Sequence, residues 1–244
     1  MNKKLVLSKT YDKCASGKPK LTAVLIHGIA SDSTTYAEAL KFLEGDDALK
    51  SVRFVTFDLL GSGKSLKDDS LNYDYKEQLE ALHNSIQDLE ITTPLVLVGH
   101  SMGALIATRY ADTYKKEVSN LILVSSPTYR LEDLENPVFK AEMEAFKKIV
   151  AAKDRQYIND KAFENEVAKI VLNKSNYRRL AELKTPAVLI YSDSDRTIMP
   201  TNIRKVIKEN PKYLKGIKTL GTHRVARDKY NKIREVLEGV LHEA

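Results

Sequence analysis

Leu95-Val96-Leu97-Val98-Gly99-His100-Ser101-Met102-Gly103-Ala104 is the stretch on which the fold turns. Four apolar residues run straight into Gly-His-Ser-Met-Gly, and a small-residue-rich, helix-compatible segment, Ala104 to Tyr114, follows. An apolar run of this length suits a strand buried on both faces, as in a parallel sheet. Passing from strand to helix through G-x-S-x-G takes a sharp turn that holds its serine in a strained backbone conformation. The residues two before and two after the serine are forced together, so glycine at 99 and 103 avoids a Cβ clash. The helix N-terminus beneath Ser101 favours negative charge near its oxygen. Ser101 is the candidate nucleophile.

Working outward, the same strand signal recurs at Val24–Ile26, Leu121–Val124 and Val188–Ile190, each flanked by Pro, Gly or polar residues. Val52–Phe57, β-branched and aromatic, reads alike. Between these runs the spacing predicts helices over Tyr73–Glu90, Thr201–Glu209 and Arg227–Leu241. Strands alternating with helices predict βαβ units and an open, mostly parallel sheet flanked by helices. Lys3–Tyr11 is expected to form an edge strand, and Tyr213–Leu220 the last strand. Only the stretch from Pro127 to Thr185 lacks strand signals; Glu142–Lys153 and Ala162–Leu172 within it look helical and highly charged. A helical cap over the strand ends is expected at 127–185, inserted into a core formed by 1–126 and 186–244.

Composition narrows the function classes. Of 244 residues, 43% are hydrophobic and 30% charged, which excludes a wholly disordered chain. Cys14 is the single cysteine, so no internal disulfide can form. No apolar run approaches the roughly 18 residues of a membrane span. Only three apolar residues follow the N-terminal lysines, too few for a signal-peptide core. A cytoplasmic, reduced protein with no membrane partner is expected. The net charge of +6 comes from basic and acidic residues interleaved along the chain, without a dense Lys/Arg tract. That pattern describes a solvated surface rather than a nucleic-acid-binding face.

Five of the ten glycines fall in three short motifs, each directly after an expected strand. One is the turn around Ser101. A second, His27-Gly28-Ile29-Ala30, can aim the Ile29 N–H at a reacting centre, with the Met102 N–H as the other donor of an oxyanion hole. The third, Asp58-Leu-Leu-Gly61-Ser-Gly63-Lys-Ser65, only superficially suggests a phosphate loop. Such a loop needs glycine five residues before Gly63, where Asp58 stands. It reads as a structural loop beside the site.

These three motifs, in this order and spacing, resemble the α/β-hydrolase family, whose members carry an H-G-x loop, a D-x-x-G-x-G-x-S loop and a G-x-S-x-G elbow. The resemblance covers essentially the whole chain, with Pro127–Thr185 where the family has its variable cap. It implies the chain order nucleophile, acid, histidine. After Ser101 only His223 and His242 remain, and His242 lies three residues from the end. The resemblance therefore points to His223 as base. His27 and His100 belong to the loop and the elbow, and His83 to a helix surface. The acid is expected after Val188–Tyr191, where Asp193 and Asp195 both stand. The family's G-x-x-D-x-x-V/I pattern favours Asp195, although Ser192 replaces its glycine, and Thr222 replaces the glycine often found before the histidine.

The implied activity is hydrolysis of a small or medium acyl ester through an acyl-enzyme, without metal or organic cofactor. Serine at the elbow argues against the dehalogenase and epoxide-hydrolase branches, which use aspartate there. Acyl transfer, carbon–carbon hydrolysis, a lyase reaction or a receptor with weak turnover remain open on the same residues. Tyr129, Phe139, Met143, Phe146 and Tyr157 are candidates either for the pocket lining or for the interior of the cap. Oligomeric state is not legible.

Overall fold

The computed structural model describes residues 4–153 and 157–243. Lys3, where the expected first strand begins, and residues 154–156 of the inserted stretch lie outside the described residues. Seven strands form one sheet: β1 (Ser8–Cys14), β2 (Leu21–Ile26), β3 (Val52–Asp58), β4 (Leu95–His100), β5 (Asn120–Val124), β6 (Ala187–Tyr191) and β7 (Leu214–Lys218). Their order is β1-β3-β2-β4-β5-β6-β7, with only β1 antiparallel. The helices are α1 (Ala37–Glu44), α2 (Tyr75–Gln87), α3 (Met102–Thr113), α4 (Leu131–Glu135), α5 (Pro137–Lys153), α6 (Asp160–Glu166), α7 (Asn176–Ala181), α8 (Pro200–Glu209) and α9 (Arg227–Glu243). Among the described residues none is long and apolar enough to cross a membrane.

The uninterrupted apolar runs become the central strands because both faces of the sheet are covered. Successive side chains of a strand point to opposite faces. Leu95 and Leu97 of β4 join one apolar cluster with α2, α3 and α8, while Val96 and Val98 join a second with α1 and α9. Leu121 and Leu123 of β5 divide from Ile122 and Val124 in the same way. Local signals start the helices: Asp74 accepts the Glu77 N–H ahead of α2, and Pro200 opens α8.

β2 lies between β3 and β4, with α1 leaving it toward one face and α3 leaving β4 toward the other. Connections that diverge in this way open a crevice at the carboxyl ends of the strands. The Gly28 loop and Ser101 sit at that switch point.

The edge strand differs from expectation. β1 starts at Ser8 and runs to Cys14, because Leu5 and Leu7 are taken by the core: Leu7 is buried, and its N–H donates to Ser85 Oγ. In the inserted stretch the expected helix Ala162–Leu172 is divided. α6 ends at Glu166 and a wider π turn, Val167–Val171, continues it; the Asn176 side-chain amide takes the carbonyls of Ile170 and Val171. Phe163, Val167, Ile170 and Leu180 of the insertion belong to the same apolar cluster as Leu79 of α2 and Leu105 of α3.

Glu166 fastens the insertion to the core. It is fully buried, and Gln78 Nε2 donates to its Oε1 at 2.9 Å and to the Leu60 carbonyl at 3.0 Å. Burial drives its carboxyl well above the usual range, against the opposing pull of the Gln78 bond. The native state therefore keeps a proton that an unfolded glutamic acid loses. Stability from this site is full below the ordinary Glu range and declines as pH rises toward the raised native value. Glu166→Gln is accordingly expected to melt near wild type at pH 5 and above wild type at pH 8. A melting difference that does not grow with pH, in thermal scans across that range, would refute the buried-acid assignment.

Candidate active site

The turn between β4 and α3 holds Ser101 at φ 54°, ψ −120°, a left-handed conformation rare for a residue with a side chain. Neighbouring backbone makes the conformation hold. The Ser101 N–H donates to the Val124 carbonyl at 2.9 Å. A Cβ on Gly99 would strike the backbone of Gly103 and Ala104, and one on Gly103 would strike the carbonyls of Ile26 and His27. The start of α3 thus lies directly on the end of β2, and that closeness brings the Gly28 loop against Ser101.

Ser101 Oγ lies 2.8 Å from His223 Nε2. His223 Nδ1 lies 3.0 and 3.2 Å from the two oxygens of Asp195. A carboxylate can only accept, so the imidazole proton sits on Nδ1 and Nε2 is left to accept the Ser101 hydroxyl. Asp195 follows β6 and is almost fully buried, and the Thr197 N–H donates to it at 3.0 Å. Burial pushes its carboxyl up, but the bonds from His223, Thr197 and Ser125 outweigh that and hold it below the usual value. Asp193, the alternative acid, is exposed and paired with Arg204 and Lys218, away from His223. The structure thus brings Ser101, His223 and Asp195 together and leaves Asp193 outside.

Ile29 lines the cavity beside Ser101, and Met102 is the first residue of α3. N–H groups in the first helical turn have no intrahelical acceptor, so the Met102 N–H is unspent by the helix. The other two motifs act as braces. Asp58 accepts the N–H groups of Ser33 and Lys64 at 2.9 and 2.8 Å, tying the β2 loop to its own. His27 accepts the Leu59 N–H at 2.9 Å through Nε2. Burial depresses the His27 imidazole, keeping it neutral for that task.

His100 does more than fill the elbow. Its Nε2 donates to the His223 carbonyl at 2.8 Å. Burial and the nearby His223 push its pKa down to about 3, so it remains an uncharged donor. Nothing in the sequence signalled this bond, which spans 123 positions.

The cavity over Ser101 has a volume of about 520 Å³. Ile29, Val225, Thr197 and Arg224 line it from the core, and Phe146, Val150 and Tyr157 from the insertion. Phe146 and Tyr157 therefore meet the expectation of a lining. Tyr129, Phe139 and Met143 are buried in the apolar cluster, Tyr129 and Phe139 with ring centroids 4.8 Å apart. Among the described residues no three His, Cys, Asp or Glu side chains gather as a metal site.

Residues 24–170, more than half of the chain, match the family model for the alpha/beta hydrolase fold. The chain belongs to the α/β-hydrolase family. Lipase 1 of Psychrobacter immobilis is 25% identical over 226 residues, covering 80% of this chain and 68% of that protein. The probable lysophospholipase BODYGUARD 1 of Arabidopsis thaliana is 35% identical over 112 residues, 46% of this chain. The match spans only 24% of that relative's length. Among solved structures, a carboxylesterase of the thaumarchaeon Nitrososphaera gargenis shares the fold with a TM-score of 0.72 at 18% identity, over 97% of this chain and 95% of that one.

The close approach at Gly103 has a measurable consequence. Gly103→Ala must push α3 off β2 and is expected to cost roughly 1–3 kcal/mol or more. Gly239, also helical, has open space around its Cβ position, so Gly239→Ala is expected to stabilise by about 0.5–1 kcal/mol. Urea denaturation of both variants tests the pair; equal effects would mean that the contact at Gly103 is not tight.

Proposed function

We propose that the protein is a serine hydrolase that cleaves small or medium acyl esters through an acyl-enzyme. The reading is carried by one observation, the continuous hydrogen-bonded chain from Ser101 through His223 to Asp195. Asp195 orients the ring and supports the charge it gains. As the Ser101 oxygen attacks the ester carbonyl, its proton passes to His223 Nε2. The carbonyl oxygen becomes an oxyanion facing the N–H groups of Ile29 and Met102, each worth roughly 3 kcal/mol of barrier. His223 then returns the proton to the departing alcohol, leaving the acyl group on Ser101. A water molecule, deprotonated by His223, releases the acid and restores the serine.

In this reading residues 127–185 act as a cap, with Phe146, Val150 and Tyr157 as the apolar roof over the acyl chain. A volume near 520 Å³ suits a short or medium chain with a small alcohol. The names of the relatives, lipase and lysophospholipase, agree with fatty acyl esters as the substrate class.

Hydrolysis of p-nitrophenyl esters, acetate through octanoate, tests the proposal. Wild type is expected to turn over with a chain-length optimum, and Ser101→Ala to lose about 10³-fold or more in rate at unchanged folding. Wild-type-like turnover in Ser101→Ala would sink it. The acid is tested separately. Asp195→Asn is expected to cost on the order of 10⁴-fold in kcat, because asparagine donates to Nδ1 and favours the wrong tautomer. Asp193→Asn removes only exposed ion pairs and should stay within about twofold. The reverse ranking would move the acid to Asp193.

A further inference from the structure

Lys229, near the start of α9, is 1% exposed. Its ammonium nitrogen has three hydrogens, and three acceptors meet them: Ser125 Oγ at 2.8 Å, the Arg224 carbonyl at 2.9 Å and the Thr222 carbonyl. Two of these carbonyls belong to the residues immediately before and after His223. The third acceptor, the Ser125 hydroxyl, stands beside Asp195 and helps to hold its carboxyl low. Ser125 sits at the carboxyl end of β5 with φ 49°, its N–H bonded to the Ile190 carbonyl at 2.9 Å. One buried cation thus clasps the loop on both sides of His223 and reaches the acid through a single hydroxyl.

We propose that Lys229 is a positioning residue that fixes His223 between Ser101 and Asp195 by holding the flanking carbonyls and bracing the acid through Ser125. The inference rests on the reading of Ser101, His223 and Asp195 as a catalytic triad. Burying a lysine is costly unless its charge and all its donors are satisfied. A merely structural contact at this place is available to a leucine or methionine. Two of the three acceptors belong instead to a loop that lacks regular structure and must hold one ring to within a few tenths of an ångström.

The clasp has a pH signature. Burial pushes the Lys229 ammonium down to about 8, against the opposing pull of the Asp195 carboxylate. The titratable groups facing it from other elements are Asp195 after β6, His223 in the loop and His100 at the end of β4; Arg224, Arg227 and Asp228 around it are exposed. Below about 8 the ammonium donates three bonds. The neutral amine above it donates two, so one acceptor is released. Turnover through this device is full below that pH and falls as pH rises through it.

The test compares wild type, Lys229→Met and Ser125→Ala in kcat and KM between pH 6 and 10, with Ser101→Ala as the control for the triad. Lys229→Met is expected to lose on the order of 10²-fold in kcat with KM within about twofold. Its remaining activity should lack the alkaline decline near pH 8 that wild type has. Ser125→Ala keeps the lysine and should lose roughly tenfold in kcat. A Lys229→Met enzyme with kcat within twofold, or with the alkaline decline intact, would overturn the proposal. If Lys229→Met does not fold, Ser125→Ala decides: kcat within twofold of wild type overturns the brace. A second readout is independent of turnover. Trypsin should cut after the exposed Arg224 faster in Lys229→Met than in wild type, followed by mass spectrometry of that peptide. If Ser101→Ala retains activity, the triad reading itself fails, and unchanged cleavage after Arg224 then removes the clasp as well.

Discussion

Everything at the site depends on one strained residue. Ser101 holds φ 54° because the chain must leave β4 and enter α3 within a single turn. That conformation costs of order 1–3 kcal/mol and persists only where the surroundings over-determine it. Here the determinants are backbone contacts: Gly99 against α3, Gly103 against the end of β2, and the Ser101 N–H on Val124 of β5. Three adjacent parallel strands thus define one serine. The same contacts set the Gly28 loop beside it, because α3 can pack on β2 only where Gly103 lacks a side chain. Strain at Ser101 and nearness of the Gly28 loop are thus one structural fact.

His223 reaches the site by the opposite route. Its loop after β7 has no regular structure, so its place is set by side chains that come from elsewhere. His100 holds its carbonyl, Lys229 the carbonyls on either side, and Asp195 its ring nitrogen. These partners carry different charges, yet each is buried to the degree its role needs. His100 is kept neutral by burial, which makes it a steady donor through the working pH range. Asp195 is kept ionised by hydrogen bonds that outweigh its burial. Ser101 is thus placed by rigid backbone and His223 by tethering side chains.

The sheet and the strained turn at Ser101 were legible in the sequence because both leave local marks. Runs such as Leu95–Val98 record burial on two faces, and Gly99 and Gly103 record a close approach. His223 and Asp195 could be named as candidates only through the order of motifs in the family, since they carry no local mark of their own. Other features were illegible for physical reasons. Lys229 lies in Arg227-Asp228-Lys229, which reads as a solvated helix end; its acceptor Ser125, just past β5, is 104 positions away. The first strand was misjudged because Leu5 and Leu7 look like strand residues and are instead core plugs. Helix α1 is eight residues long, too short for periodicity to stand out.

The stretch 127–185 shows how cavity lining and stability become coupled. Residues from α6, the π turn and α7 share one apolar cluster with α2 and α3, so this stretch is not a lid laid on a finished core. Glu166 strengthens that view: a buried acid held by Gln78 links α6, α2 and the loop after β3 through one amide. Among the described residues of this stretch, Phe146 and Val150 of α5 and Tyr157 line the cavity over Ser101. The insertion is thus divided. Its later half is committed to the core, and its earlier half both packs on the core through Tyr129, Phe139 and Met143 and lines the cavity through Phe146 and Val150. Under the proposed function, chain-length preference would vary most cheaply at Phe146 and Val150, where a change of side-chain volume alters the cavity wall without opening a void around Phe163 or Ile170. A change at those two core positions would cost the roughly 2–5 kcal/mol typical of an emptied core site.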